Sequence, residues 1–265
     1  MSINYLRYKI FKPLKSWKNK YLKYLAKSKA KETGLFEQAV KEISEYTGES
    51  SEIIRQKHKS CGPEPEKNYA IFKDQSGLTA SGVESFYKEC GYYLYELPLW
   101  NAEGNRPFNI YLIISGYLKS HKYNKVLDFG GGAGDLCLEL SRHSLDVSYC
   151  DIGETLYNFA RWRFTRRNVP VRMFKGIGTI VGNDYDCILS FDAFEHVKDL
   201  PQVIKKLFSY LKPGGSLIFS GAFSGGTLHL EENESYNKFN NLDKLMREIG
   251  FTFQDRFAQY YFYSK

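Results

Sequence analysis

Apolar residues recur along the chain at two spacings, and the change from one to the other divides it. Ile3, Leu6, Ile10, Leu14, Trp17, Tyr21 and Tyr24 stand three or four residues apart, which predicts an amphipathic helix bent near Pro13. Leu35, Phe36, Val40 and Ile43 form a second helical stripe that stops at Gly48. Ser50 or Ser51 then caps a short helix carrying Ile53 and Ile54. The CGPEP run (61–65) reads as a turn. Residues 66–104 mix aromatics with Gly and Pro and show no clear period, and an apolar helical segment follows at 108–118.

From Lys125 onward, short apolar runs alternate with amphipathic ones. KVLDF (125–129), DVSYCDI (146–152), VPVRMF (169–174), YDCILSF (185–191) and SLIFSGAF (216–223) predict strands. Helices are predicted through Leu136, Leu138 and Leu140, then over 154–167, 200–211 and 242–249. KPGG (212–215) marks a turn before the fifth strand, and two aromatic strands, 251–257 and 258–263, close the chain. Such alternation implies right-handed crossovers and a doubly wound α/β sheet with an antiparallel last strand. Ligands of these sheets sit beyond the carboxyl ends of the strands.

Length and charge refine this picture. A chain of 265 residues accommodates one α/β domain and a smaller accessory region. The expected layout is a basic helix over 1–32, a helical cap or substrate region over 33–118, and the sheet domain over 119–265. The net charge of +7 belongs to the first segment: residues 1–31 hold ten Lys or Arg and no acid, leaving 27 basic and 30 acidic residues for the rest. A basic amphipathic helix packs on the protein body, binds a partner protein or lies on a membrane surface. Nucleic acid is disfavoured, because the sheet half is not basic. No apolar run reaches the length of a membrane span and no secretory signal is present. Five cysteines without CxxC spacing suit reduced thiols, and the expected location is cytoplasmic, peripheral to the membrane if the first helix binds it.

The chemistry-bearing motifs fall at the predicted strand ends. VLDFGGGAGD (126–135) runs a strand into Gly130, Gly131, Gly132 and Gly134, where bare backbone turns sharply and approaches a ligand. Glycine-rich turns also serve dinucleotide enzymes. Here Asp135 replaces the third glycine of G-x-G-x-x-G, and Asp128 sets a negative charge at the strand end, which suits a cationic ligand better than a pyrophosphate. Asp151, 23 residues after Asp128, suits ribose hydroxyls, although an acid there also opposes the dipole of the next helix. Asp192, Glu195 and His196 leave the fourth strand together, and His229 follows the glycine-rich stretch 221–226. His196 and His229 are candidate general bases, with Glu195 beside them. Glu195 and His196 otherwise fix their loop through hydrogen bonds. Asp192, Glu195 and His196 also form a donor set for a divalent ion, the less favoured alternative to a metal-free site.

LDFGGGAGD, YCDI, DYDCILSFDAFEHV and LKPGGSLIFS, in that order, resemble the successive motifs of class I S-adenosylmethionine (SAM)-dependent methyltransferases with a Rossmann-like fold. The likeness is to the branch with an EHV signature, which includes quinone, natural-product and sugar O-methyltransferases. It covers about 140 residues, from Lys125 to the C-terminus. It implies SAM as cofactor and S-adenosylhomocysteine as product. Asp128 and the backbone of Gly130, Gly132 and Gly134, with Phe129, would hold the methionine part. Asp151 would bind the ribose, Ile152 would pack on adenine with Ile177 nearby, and Asp192 would lie near the reacting methyl. Many relatives carry an acid after the third strand, whereas this chain has Lys175, Gly176, Ile177 and Gly178, which leaves adenine to backbone groups.

The implied reaction methylates a small-molecule acceptor, with a hydroxyl oxygen favoured by the two histidines. The competing readings are a nicotinamide-dependent oxidoreductase and a non-catalytic SAM-binding scaffold. If the first helix binds membrane, the full chain sediments with anionic vesicles and a form lacking residues 1–31 does not. Equal sedimentation of both removes that role.

Overall fold

The computed structural model describes residues 34–61, 67–70, 85–88, 90–104, 108–224, 229–257 and 259–265. The expected helix over 1–31, most of the CGPEP run and residues 225–228 lie outside them. The chain forms two compact units. One comprises the described part of Met1–Lys122 with Gly132–His143 and Gly153–Pro170; the other comprises Tyr123–Gly131, Ser144–Ile152 and Val171–Lys265.

The first unit is helical. It holds α1 (Leu35–Thr47), α2 (Ser51–Ser60), α3 (Tyr93–Ala102), α4 (Phe108–Ser120), α5 (Asp135–Ser141) and α6 (Glu154–Arg166). Gly48, at φ 76°, ends α1 and returns its N–H to Ser44 O at 2.8 Å. Ser50 Oγ accepts from Ile53 N and starts α2, as its residue type predicts. Val40, Ile43, Ile54, Leu94, Leu99 and Phe159 share one buried core. Helix α3 falls in the stretch without a clear period. Its buried residues Leu94, Pro98, Leu99 and Ala102 do have helical spacing, but Pro98 lies inside the helix, where proline ordinarily signals a break.

The second unit is one seven-stranded sheet with α7 (Leu200–Tyr210) and α8 (Phe239–Ile249). Its strands are β1 (Lys125–Phe129), β2 (Asp146–Asp151), β3 (Arg172–Lys175), β4 (Tyr185–Phe191), β5 (Leu211–Ser220), β6 (Thr252–Phe257) and β7 (Tyr260–Ser264). The order is β3-β2-β1-β4-β5-β7-β6, parallel through β5, with β7 antiparallel to both its neighbours. This is the doubly wound topology with an antiparallel last strand. The chain leaves β1 toward β2 and β3 and then returns to β4 on the other side, so the strand order reverses beside β1.

Two elements differ from expectation for local reasons. The third strand begins at Arg172 rather than 169, because Asn168 adopts φ 51° and Val169 N bonds to Phe164 O at 2.9 Å, closing the end of α6. The KPGG turn lies inside β5. Tyr185 pairs with Leu211 and Cys187 with Ser216, so residues 212–215 bulge out while the strand resumes its pairing. All seven residues of β4 are buried, which accounts for its mainly apolar sequence.

Asp186 ties the start of the sheet together. Its Oδ2 accepts from Asn124 N at 2.6 Å and Lys125 N at 2.8 Å, and its Oδ1 pairs with Lys212. Burial pushes this carboxyl up, but Lys212 and the two N–H groups outweigh it and hold its pKa below the ordinary 3.8. A depressed acid contributes stability that is present above 3.8 and lost as pH falls through the folded value. Asp186→Asn is expected to cost about 1–3 kcal/mol in urea unfolding at pH 7. The gap from the wild type should close as the pH is taken below 3.8.

Candidate active site

The sequence-predicted residues of the sheet unit gather at the carboxyl ends of β1, β2 and β4. Asp128 is buried near the end of β1 and pairs in register with Tyr149 of β2. Asp151 stands two residues beyond Tyr149 and therefore shares the face of the sheet that carries Asp128. The turn after β1 is clasped to β2, since Gly130 N and Gly131 N both donate to Cys150 O, at 2.8 and 3.2 Å. Gly130 has φ 73°, and a Cβ there would lie 2.5 Å from Ala193 Cβ. Glycine is thus required by the turn's own packing, before any ligand is considered.

Gly131 was not among the expected site residues. A Cβ on it would come within 2.6 Å of the Tyr149 ring and 3.1 Å of Asp128 Oδ2. A side chain there would crowd both the Tyr149 ring and the Asp128 carboxylate. Its position in the run GGG was the available signal, but spacing did not rank it above its neighbours. In the helical unit, Gly132 and Gly134 adopt φ 53° and 80°.

Asp151 O accepts from Gly176 N at 3.0 Å, which joins the ends of β2 and β3. Ile152 Cγ2 lies 3.6 Å from the Cβ position of Gly176. Ile177 follows, half-buried, and its carbonyl accepts from Tyr210 OH at 2.9 Å. Ile152 and the backbone of Gly176 thus lie together at the ends of β2 and β3, where adenine contacts were expected. The Phe129 ring packs against the sheet core, its centroid 6.2 Å from that of Phe194.

Asp192 turns the chain off β4 at φ 53°, a conformation Asp tolerates better than most residues. Its N–H donates to Ser220 O at 3.0 Å, and its Oδ1 accepts from Ser220 Oγ at 2.8 Å. Glu195 is buried and accepts from Ala222 N at 3.2 Å. Leu230 N in turn donates to Glu195 O at 3.0 Å. These contacts dock the segments after β4 and β5 against each other and bring His229 beside His196, with ring centroids 5.1 Å apart. One ligand-capable atom from each of Glu195, His196 and His229 lies within 4.8 Å of the others. Asp192 is not a member of that group. Burial lowers the His229 pKa from 6.5, against a hydrogen bond with Ser224 and the charge of Asp192, which both raise it. His229 is therefore neutral at pH 7 and able to accept a proton.

Residues 114–255 match a family model described as a methyltransferase domain. The chain belongs to that family. A ubiquinone biosynthesis O-methyltransferase of Acinetobacter baylyi is 33% identical over 104 residues, covering 36% of this chain and 42% of that protein. Another from Coxiella burnetii is 31% identical over 102 residues, covering 37% and 44%. The matched region thus spans about two fifths of the length of these curated relatives. A solved structure from Nostoc punctiforme, described as a candidate O-methyltransferase, superposes with TM-score 0.55 at 16% identity. It covers 78% of this chain and 70% of that one, a likeness of fold.

Membership of the methyltransferase family removes the nicotinamide reading of the glycine turn. Several aromatic residues of the 66–104 stretch are engaged in packing within the helical unit. Tyr69 and Phe86 meet edge to face, Tyr87 and Tyr93 stack at 6.0 Å, and Tyr95 OH donates to Glu49 at 2.8 Å. Trp100 is exposed. Among the described residues no helix is long and apolar enough to cross a membrane.

Proposed function

We propose that the chain transfers a methyl group from SAM to a hydroxyl oxygen of a small-molecule acceptor, releasing S-adenosylhomocysteine. The observation that carries the reading is the placing of Asp128 and Asp151 on one sheet face, at the carboxyl ends of neighbouring strands, beside a turn with no side chain at Gly131. Two acids beside bare backbone suit a cationic amino acid joined to a ribose. They do not suit a pyrophosphate. On this reading Asp151 takes the ribose hydroxyls and Ile152 and Ile177 flank the adenine. Asp128, Phe129, Gly130, Gly132 and Gly134 hold the methionine end, with Asp192 near the methyl. Residues 33–118 serve as the cap or substrate region and 119–265 as the SAM-binding domain. A cytoplasmic location, with residues 1–31 touching a membrane or partner protein, belongs to the same proposal.

SAM supplies an electrophilic methyl on a positively charged sulfur, with a neutral thioether as leaving group. The chain's own work is then to orient the acceptor oxygen in line and to take its proton. Holding the oxygen in line is worth about 7–11 kcal/mol. A neutral His229, edge-on to His196, takes the proton, and Glu195 keeps both histidine-bearing segments docked.

Titration calorimetry separates the main readings. Binding of SAM and S-adenosylhomocysteine but not NAD(H) is expected, with Asp151→Ala weakening it roughly tenfold or more. Absence of nucleoside binding by the wild type ends the proposal, and binding without turnover across a broad hydroxyl panel turns it into the scaffold reading.

The base assignment has its own test. Because the His229 pKa is depressed, the base form persists below 6.5, and the acid limb of kcat/KM should lie under that value. His229→Ala is expected to lower kcat about 10²- to 10⁴-fold and to abolish that limb. Glu195, His196 and His229 are also close enough to hold a divalent ion. In that case chelation abolishes activity and added Mg²⁺, Mn²⁺ or Zn²⁺ restores it, whereas the proton-transfer role predicts indifference to chelator.

A further inference from the structure

Arg163 lies in the last turn of α6 and is buried, with 5% of its surface exposed. Its Nε donates to Glu42 Oε2 of α1 at 3.1 Å. Its Nη1 donates to Ala133 O at 2.7 Å and to Asp135 Oδ1 at 2.8 Å. Arg167, which caps the C-terminus of α6, donates from Nε to Glu42 Oε1 at 3.0 Å, and Asn101 Nδ2 of α3 donates to Asp135 Oδ2 at 3.0 Å. Two guanidinium groups thus face two carboxylates. Burying such a set carries a desolvation cost, so its retention calls for a reason beyond stability.

Ala133 and Asp135 belong to the glycine-rich turn. A trans peptide sets the carbonyl of residue 133 and the N–H of residue 134 on opposite sides. Holding Ala133 O against Arg163 therefore directs the Gly134 N–H away from it. The next residue of α6 acts on the next residue of the turn: a Cβ on Gly134 would lie 2.6 Å from Phe164 Cζ. Arg163 and Phe164 together leave this part of the turn one conformation. The acid that stands where a dinucleotide turn has its third glycine is thereby explained, because Asp135 is held by Arg163 and Asn101.

We propose that Arg163 is a positioning residue for the cofactor turn, clamping Ala133 O and Asp135 while Glu42 of α1 holds the other side of the same guanidinium. Cofactor affinity then depends on a helix that precedes the turn by some ninety residues of chain. The proposal rests on the reading of this turn as part of a SAM site.

The test compares Arg163→Lys, which keeps the charge but loses the planar fork, with Arg167→Gln, which loses a Glu42 partner. S-adenosylhomocysteine affinity is measured by calorimetry, thermal stability by melting, and amide exchange at residues 132–136 in the ligand-free protein. Both variants should melt earlier. R163K should bind roughly tenfold to a hundredfold more weakly and exchange faster at the turn, while R167Q stays within about twofold of wild type on both. Wild-type affinity in R163K, or an equal loss in both variants, overturns the proposal. If the wild type itself binds no S-adenosylhomocysteine, the SAM reading has failed. The exchange difference between the variants then still decides whether Arg163 sets the turn: faster exchange in R163K alone supports the clamp, and equal exchange refutes it. Should R163K not fold, Asp135→Asn, which weakens the same clamp from the turn side, is expected to give the R163K pattern, and wild-type affinity in it refutes the clamp.

Discussion

The central constraint in this protein is that β1 is hydrogen-bonded on both edges, to β2 on one side and β4 on the other. A strand so enclosed cannot be left sideways. The chain must rise off its carboxyl end through a turn that fits between neighbouring strand ends. Cys150 O accepts two N–H groups of that turn, and Ala193 presses on Gly130 from the β4 side. No side chain fits at Gly130 or Gly131, so the turn beyond β1 is bare peptide at the end of the sheet where Asp128 and Asp151 lie in β1 and β2 and Asp192 follows β4. The reversal of strand order beside β1 brings these acids together rather than any local attraction among them.

Electrostatics then separates the roles of the acidic side chains. Asp186, at the opposite ends of the strands, is committed to two backbone N–H groups and Lys212, and its work is structural. Asp192 accepts from Ser220 and spans the ends of β4 and β5. Glu195 binds the segment after β5, which carries His229 toward His196. Glu195 thus arranges the two imidazoles through its carboxylate and its backbone carbonyl, and burial in that arrangement lowers the His229 pKa. On the proposed mechanism the protein contributes orientation and one proton acceptor, which is sufficient when the leaving group is a neutral thioether.

Much of this was legible from the amino acids. The strands from β1 to β5, the glycine turn, the acids at the strand ends and the caps at Gly48 and Ser50 follow from periodicity and from the conformational limits of Gly and Ser. Those signals are local, because a strand's face or a helix's end depends on residues within a few positions. The methyltransferase likeness rested on the same local features arranged in a fixed order.

What remained hidden involves partners far apart in the chain. Helix α3 was obscured because Pro98 normally breaks helices, and packing against α1, α2 and α6 stabilises it there. The bulge at 212–215 arises from the register of β5 against β4, which no residue in KPGG specifies by itself. The pairing of His229 with His196 depends on a docked loop, and the role of Arg163 depends on Glu42 and Asp135, which are distant in sequence. Sequence by itself determined most of the strands and helices and which strand ends carry acids, because backbone sterics and side-chain period act over a few residues. Tertiary structure alone decided which acid meets which base, because burial makes an unpaired charge costly and the fold chooses the partner that relieves it.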